Sequence, residues 1–237
     1  MKRNPATRSR AVKLLALDTS SEYCSAALWI DGEVDSRDTP AGQNHSSVLL
    51  RMIDELLRAH AVRLGDLDAI AYGEGPGSFT GLRITCGVVQ GLAFGSGVPV
   101  VGVGTLLAMA EGCAADRVVC CVDARIHEIY HAAYRRAVDR WEVVSQPALC
   151  APAAAPALDG EGWAGCGSGF AAYRDILEAR YAGQLASVEP ARYPHARDIA
   201  ALAVPRVERG EVSGAEDAAP VYLRNKVALR TDERPNR

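Results

Sequence analysis

The sequence predicts an α/β fold built twice from a βββαβα unit, with the second copy eroded and a cleft between the copies. Three observations predict it. Three strand patterns follow one another from residue 14, helix and strand patterns alternate after them, and the same order restarts at residue 117. A chain of 237 residues is long enough to bury a sizeable core.

Residues 14–20 (LLALDTS), 24–30 (CSAALWI) and 32–39 read as strands, joined by a Ser-Glu-Tyr turn and an Asp31-Gly32 hairpin signal. Residues 45–60 read as a helix. Val48, Leu49, Leu50, Met52, Ile53, Leu56, Leu57 and Ala59 sweep about 200° of its wheel, and one core needs little more than 100°. Residues 68–72 form a strand and lead into GEGPGSFTGLR at 73–83. Within it Gly75, Pro76, Gly77, Ser78, Phe79, Thr80 and Gly81 make a turn of defined shape, because glycine admits unusual φ and proline fixes one. Ser78 or Thr80 can cap the helix that follows. Amides at such a helix start can face an anion, or the loop can be purely structural; the Gly-Lys-Ser/Thr ending of a phosphate loop is absent, and Arg83 is the one nearby cation.

The helix at 81–95 carries Gly87, Gly91 and Gly95 at i, i+4 and i+8. Each interior glycine costs about 0.8 to 1 kcal/mol against alanine, so close approach of another backbone is the expected compensation. Only Arg83 and Gln90 break its apolar surface, which predicts burial on two sides. The segment is too short and too glycine-rich to span a membrane. Residues 99–104 and 105–113 add a strand and a threonine-started helix. In the second copy 117–124, 128–135 and 141–149 read as strands, 163–167 as a strand, 170–180 as a helix and 195–210 as a closing helix. The chain thus divides into 14–110 and 111–225, with a Pro/Ala-rich connector at 151–162. A basic tail at 1–13 and a charged tail at 226–237 are expected to be flexible.

With 49% hydrophobic residues, 23% charged residues and a net charge of −3, the composition is that of an ordinary soluble protein and argues against a nucleic-acid binder working alone. Seven cysteines without a C-x-x-C pair suit a reduced cytoplasm, and Cys120 and Cys121 are expected on opposite faces of one strand. Asp18, Thr19 and Ser20 offer a carboxylate and hydroxyls at a hairpin tip, either a vestigial phosphate loop or a capped turn. Residues 165–169 (GCGSG) could approach an adenine or a ribose. His127-Glu128-Ile129-Tyr130-His131 matches the zinc-peptidase H-E-x-x-H pattern, which needs a helix. On a solvated strand the two histidines lie about 13 Å apart and cannot share an ion.

Four separated motifs, LALDTSSEYCSAAL at 15–28, AYGEGPGSFTGLRI at 71–84, DARIHEIYHAAY at 123–134 and PVYLRNKVA at 220–228, resemble the TsaB (YeaZ) family of threonylcarbamoyladenosine biosynthesis. The resemblance spans nearly the whole chain. It implies an actin-like (ASKHA) fold and a non-catalytic subunit that partners TsaD and TsaE, forms a homodimer in their absence, meets tRNA only through the complex and resides in the cytoplasm. No cofactor and no metal is implied: where TsaD carries an H-x-x-x-H metal motif, Thr105 and Met109 stand here. The family's hairpin carries Arg-Arg-Gly-Glu where this chain has Arg125-Ile126-His127-Glu128. The partner surface is expected on the two helices with apolar area to spare, at Val48, Met52, Leu56, Arg83, Gly87, Gly91 and Gly95. Two further functions stay open, an active actin-like ATPase or small-molecule kinase, and a zinc peptidase.

Overall fold

A computed structural model describes residues 12–42, 44–138 and 140–224. Among the described residues, ten strands form two five-stranded sheets. The first contains β1 (Lys13–Asp18), β2 (Tyr23–Ile30), β3 (Glu33–Pro40), β4 (Ala69–Gly75) and β5 (Val100–Gly104), in the order β3-β2-β1-β4-β5. The second contains β6 (Arg117–Arg125), β7 (Glu128–Arg136), β8 (Trp141–Cys150), β9 (Trp163–Cys166) and β10 (Leu185–Glu189), in the order β10-β9-β6-β7-β8. In each, the first three strands pair antiparallel as a meander, and the first strand pairs in parallel with the fourth. The fourth pairs in parallel with the fifth. This is the duplicated actin-like arrangement.

The helices are α1 (His45–Ala59), α2 (Phe79–Ser96), α3 (Thr105–Glu111), α4 (Gly169–Ala172), α5 (Arg174–Arg180) and α6 (Ala196–Glu208). The unbroken apolar run of β1 follows from its central place in a sheet covered on both faces. Leu15 and Leu17 pack beneath α1 and α2 with Leu49, Leu56, Ile70 and Val89. Leu14 and Ala16 turn to the other face and meet Ile199, Ala200 and Ala203 of α6. Thus α6, late in the chain, closes the first sheet. Conversely, Leu106, Met109 and Ala110 of α3 pack on Val118, Cys120 and Ala132 of the second sheet. Cys120 and Cys121 do face opposite ways, into different cores.

The structure locates the erosion of the second half. Where the first half places the four-turn α1 between its third and fourth strands, the second has a 3-10 turn at Pro152–Ala154. The connector is therefore not structureless: Pro152, Ala155 and Leu158 are buried. The strand β10 was not expected from the sequence, because its five residues (LASVE) are short, mixed in polarity and at a sheet edge. The expected helix at 170–180 is broken at Tyr173, whose φ of −132° leaves the helical range. Thr105 does not cap α3; Gly104 occupies that position, and the Thr105 hydroxyl donates to the Pro76 carbonyl instead. Lys13 opens β1 opposite Ile30, so the expected basic tail does not reach residue 13. The flexibility expected for 1–11 and 226–237 lies outside the described residues.

The H-E-x-x-H match falls on a hairpin, which rules out the helical zinc site. Arg125 pairs with Glu128, leaving Ile126 and His127 as the turn, with φ of 53° and 57°. His127 is exposed, whereas His131 is fully buried, and neither ring nitrogen of His131 has a hydrogen-bond partner. The strand is therefore not solvated at His131, contrary to expectation, because its alternation places that ring on the same face as Ile129 and Ala133, inside the core. No group of three or more metal-ligating side chains occurs among the described residues.

Burial, helped by the charge of Arg180, pushes the His131 pKa down to about 4. An unfolded histidine titrates near 6.5, so the unfolded state binds the extra proton between these values, and stability is lost as pH falls through that window. The full effect is about 3 kcal/mol. Urea unfolding of wild type and His131→Leu at pH 7.5 and pH 4.5 is expected to show most of this loss in the wild type only. An equal pH response in both proteins would contradict it.

Candidate functional site

Between the two halves lies a cleft of about 850 Å³. The first half lines it with the turn after β1 (Ser20, Ser21) and the loop before α2 (Pro76, Gly77, Ser78), the second with Asp123, Arg125, Ile126 and Ser168. Met109 lines it too, and so does the segment from Val221 to Arg224. In an actin-like fold this is where catalytic groups would converge. Their arrangement here is decided by how tightly the two loops of the first half are joined.

Ser78 caps α2, its Oγ accepting from the Gly81 N–H at 3.3 Å. Its own N–H donates to the Ser20 carbonyl at 2.7 Å. The Thr19 hydroxyl donates to the Gly81 carbonyl at 2.7 Å and lies 2.6 Å from Thr85 Oγ1. A Cβ at Gly77 would stand 2.6 Å from the Ser20 carbonyl oxygen, and one at Gly81 would overlap that of Thr19. These glycines let two backbones touch. Thr19 and Ser20, expected as vestigial phosphate-binding residues, are buried with their hydroxyls engaged inside the protein. In this structure they form a structural interlock.

Asp18 lies at the base of the same turn. Its Oδ1 accepts from the N–H and the hydroxyl of Ser20, both at 2.9 Å, while Oδ2 is buried without a partner against Gly73. Burial raises its pKa to about 7, the Ser20 hydrogen bonds pulling the other way. Asp18 is thus fully buried, with its one engaged oxygen turned to Ser20. Thr105 and Met109, at the positions of the absent metal pair, offer a hydroxyl spent on Pro76 and a buried thioether. The second half repeats the interlock. Ser168 Oγ accepts from the Asp123 N–H at 3.1 Å, and Gly167 and Gly169 abut the Cys121 carbonyl, so the Gly165–Gly169 stretch is a packing device as well.

A further trio escaped the sequence. Asp38 Oδ1 accepts from the Ser25 hydroxyl at 2.6 Å and lies 2.8 Å from His195 Nδ1. Burial raises the Asp38 pKa, but these hydrogen bonds outweigh it and the net shift is downward. The Ser25 oxygen also accepts the Ala196 N–H at 2.7 Å. The serine therefore donates to the carboxylate and not to the histidine, so the trio fixes the start of α6 on the first sheet and provides no nucleophile. Nothing in a linear reading links residues 25, 38 and 195.

On the outside of the first half, α1 and α2 share one core and leave an outer face. Leu82, Cys86, Val89 and Ala93 of α2 point inward. Gly87, Gly91 and Gly95 are exposed, and a Cβ on any of them would meet nothing within 4 Å. α2 is therefore buried on one side only, and its groove faces open space. Phe94 beside it is 88% exposed, and Leu50 on α1 is 50% exposed. Val48 is half-buried and Arg83 exposed. Met52 and Leu56 are core residues and are withdrawn from the expected partner surface, because they lie on the α1 stripe that packs inward. Phe94 was counted in the sequence only as part of an apolar helix; its i+3 spacing from Gly91 was the signal that it shares the groove's side.

Comparisons with known proteins place this geometry. A family model described as TsaD, tRNA N6-adenosine threonylcarbamoyltransferase, matches residues 39–231. The Escherichia coli (strain K12) protein described as tRNA threonylcarbamoyladenosine biosynthesis protein TsaB is 37% identical over 228 residues, covering 92% of this chain and 97% of that protein. The Haemophilus influenzae protein of the same description is 36% identical over 230 residues, covering 92% and 95%. The solved structure of YeaZ from Pseudomonas aeruginosa superimposes with a TM-score of 0.83 at 37% identity, covering 90% of this chain and all of that one.

Two glycine substitutions separate the interlock from the groove. Gly81→Ala is expected to destabilise by about 2 kcal/mol or more, since its Cβ meets backbone that cannot move aside. Gly91→Ala is expected to stabilise the isolated chain by up to about 1 kcal/mol, as an exposed helical glycine replaced in open space. Denaturant titrations of both variants check this; equal responses would contradict it.

Proposed function

Because the chain belongs to the TsaB family of tRNA threonylcarbamoyladenosine biosynthesis proteins, we propose that it acts there as a non-catalytic scaffold subunit. It pairs with TsaD, the transferase that modifies the adenosine beside the tRNA anticodon, with TsaE as the ATPase partner, and forms a homodimer when they are absent. tRNA meets it only through the complex, in the cytoplasm. Among the described residues no helix is long and apolar enough to cross a membrane.

One observation carries this reading: the exposed glycine track of α2, with the exposed Phe94 on the same helix. Three helical glycines cost about 3 kcal/mol, and nothing inside the protein fills the space they leave. A helix of a partner lying in that groove would gain close backbone contact and cover an aromatic ring that a monomer exposes to water. The sealed Asp18 and the interlocked Thr19 and Ser20 support the non-catalytic half of the proposal. Magnesium-dependent ATP turnover by the purified chain, abolished by Asp18→Ala, would instead establish the ATPase or kinase reading.

Reconstitution of the modification from TsaC, TsaD, TsaE and tRNA is expected to fail when this chain is left out. Undiminished product would remove the scaffold role. For the surface itself, Gly91→Leu and Phe94→Glu are each expected to weaken association with TsaD at least about tenfold, about 1.4 kcal/mol, with little change in melting temperature. The open space around Gly91 accommodates the larger side chain in the monomer. Light-scattering masses with and without TsaD measure it, and unchanged association with both variants would place the interface elsewhere.

A further inference from the structure

Residues 218–224 follow a 3-10 turn at Ala215–Asp217 without regular structure, yet five of the seven are tied down. The Gln90 side-chain amide donates to the Ala218 carbonyl at 2.8 Å, and the Ala219 N–H donates to the Tyr72 hydroxyl at 3.1 Å. The Val221 N–H donates to the Glu74 carbonyl at 2.6 Å. Gly75, at a φ of +120°, leaves room for the Val221 carbonyl, which would stand 2.6 Å from a Cβ there. Past this point the segment leaves the first sheet and meets the start of α2. The Tyr222 ring lies 5.4 Å from that of Phe79, and the Arg83 guanidinium sits 3.8 Å from the Phe79 centroid while its Nε–H donates to the Tyr222 hydroxyl at 3.0 Å.

Two residues further on, the segment reaches the other half. Arg224 donates from Nη2 to the Ala124 carbonyl at 3.0 Å and to the Arg125 carbonyl at 3.4 Å, and pairs with Glu128 at 2.8 Å. Its side chain is only 16% exposed, so this ion pair is shielded more than a surface pair. The hairpin it grips needs support. Arg125, Ile126 and His127 have φ of 63°, 53° and 57°, a left-handed run that is adverse for a β-branched isoleucine.

We propose that residues 218–224 are an interdomain clasp, which ties the first turn of α2 to the β6–β7 hairpin across the mouth of the cleft. Arg83 is the joint between surfaces: it is exposed on α2, holds Tyr222, and lies beside the face on which the scaffold reading seats a partner. That coupling rests on the scaffold reading; the clasp itself does not. A partner that fixes Arg83 and Phe79 then also restrains Tyr222, Arg224 and the strained hairpin of the other half.

Hydrogen exchange followed by mass spectrometry tests both parts on the full chain. In Arg224→Ala, residues 79–83 are expected to exchange at least about threefold faster, together with the hairpin at 123–128, while the melting transition stays near that of wild type. Glu128→Gln keeps both carbonyl bonds of Arg224 and is expected to give a smaller change at both places. Faster exchange confined to the hairpin overturns the clasp. Added TsaD is expected to slow exchange at 123–128 in the wild type and not in Arg224→Ala. Protection of 83–95 with no change at the hairpin overturns the coupling; no protection at 83–95 overturns the scaffold reading, and the clasp then stands or falls on Arg224→Ala alone.

Discussion

Thr19 and Gly81 meet as closely as two backbones can, because Gly81 has no Cβ and the Thr19 hydroxyl closes the gap onto the Gly81 carbonyl. Much of the first half depends on that contact. It joins the end of β1 to the start of α2, and with the bond from Ser78 to Ser20 it fixes the direction in which α2 leaves the sheet. Leu82, Cys86, Val89 and Ala93 are thereby turned inward, which leaves Gly87, Gly91 and Phe94 outside. One packing constraint therefore sets the outward face of α2.

The two halves hold together by exchange of helices. α6 covers the first sheet, α3 packs on the second, and the trio of Ser25, Asp38 and His195 fixes α6 at its first turn. Because the chain crosses between halves in this way, each sheet is covered in part by a helix that the other half supplies. The erosion of the second half is tolerated for the same reason. In place of a counterpart of α1, Ala155 and Leu158 share a core with Trp163, Leu177 and Tyr181.

Two buried titratable groups pull stability in opposite directions. Asp18, with its pKa raised by burial to about 7, binds a proton more readily in the folded state, so its contribution fades as pH rises toward that value. His131, with its pKa lowered by burial to about 4, resists protonation when folded, so its contribution fades as pH falls. Asp18 keeps one oxygen on Ser20 and leaves the other without a partner, while neither ring nitrogen of His131 has one.

Element order, strand pairing of the meanders and the doubling of the unit are legible in the sequence, since period-2 and period-3.6 patterns and the Asp31-Gly32 turn are local properties of the chain. The glycine spacing of α2 is legible too. Whether a glycine meets backbone or open space is not: Gly81 and Gly91 look alike in the sequence, and only the position of Thr19, 62 residues away, distinguishes the first. The same limit hid β10, an edge strand that owes its place to pairing with β9, and put Met52 and Leu56 on the wrong side of a wheel that records angle but not what lies beyond it. It also turned a formally complete H-E-x-x-H match into a hairpin whose histidines face different surroundings. Local pattern determined which elements form; long-range contact decided which faces they bury, because burial is a property of pairs of segments and not of either one alone.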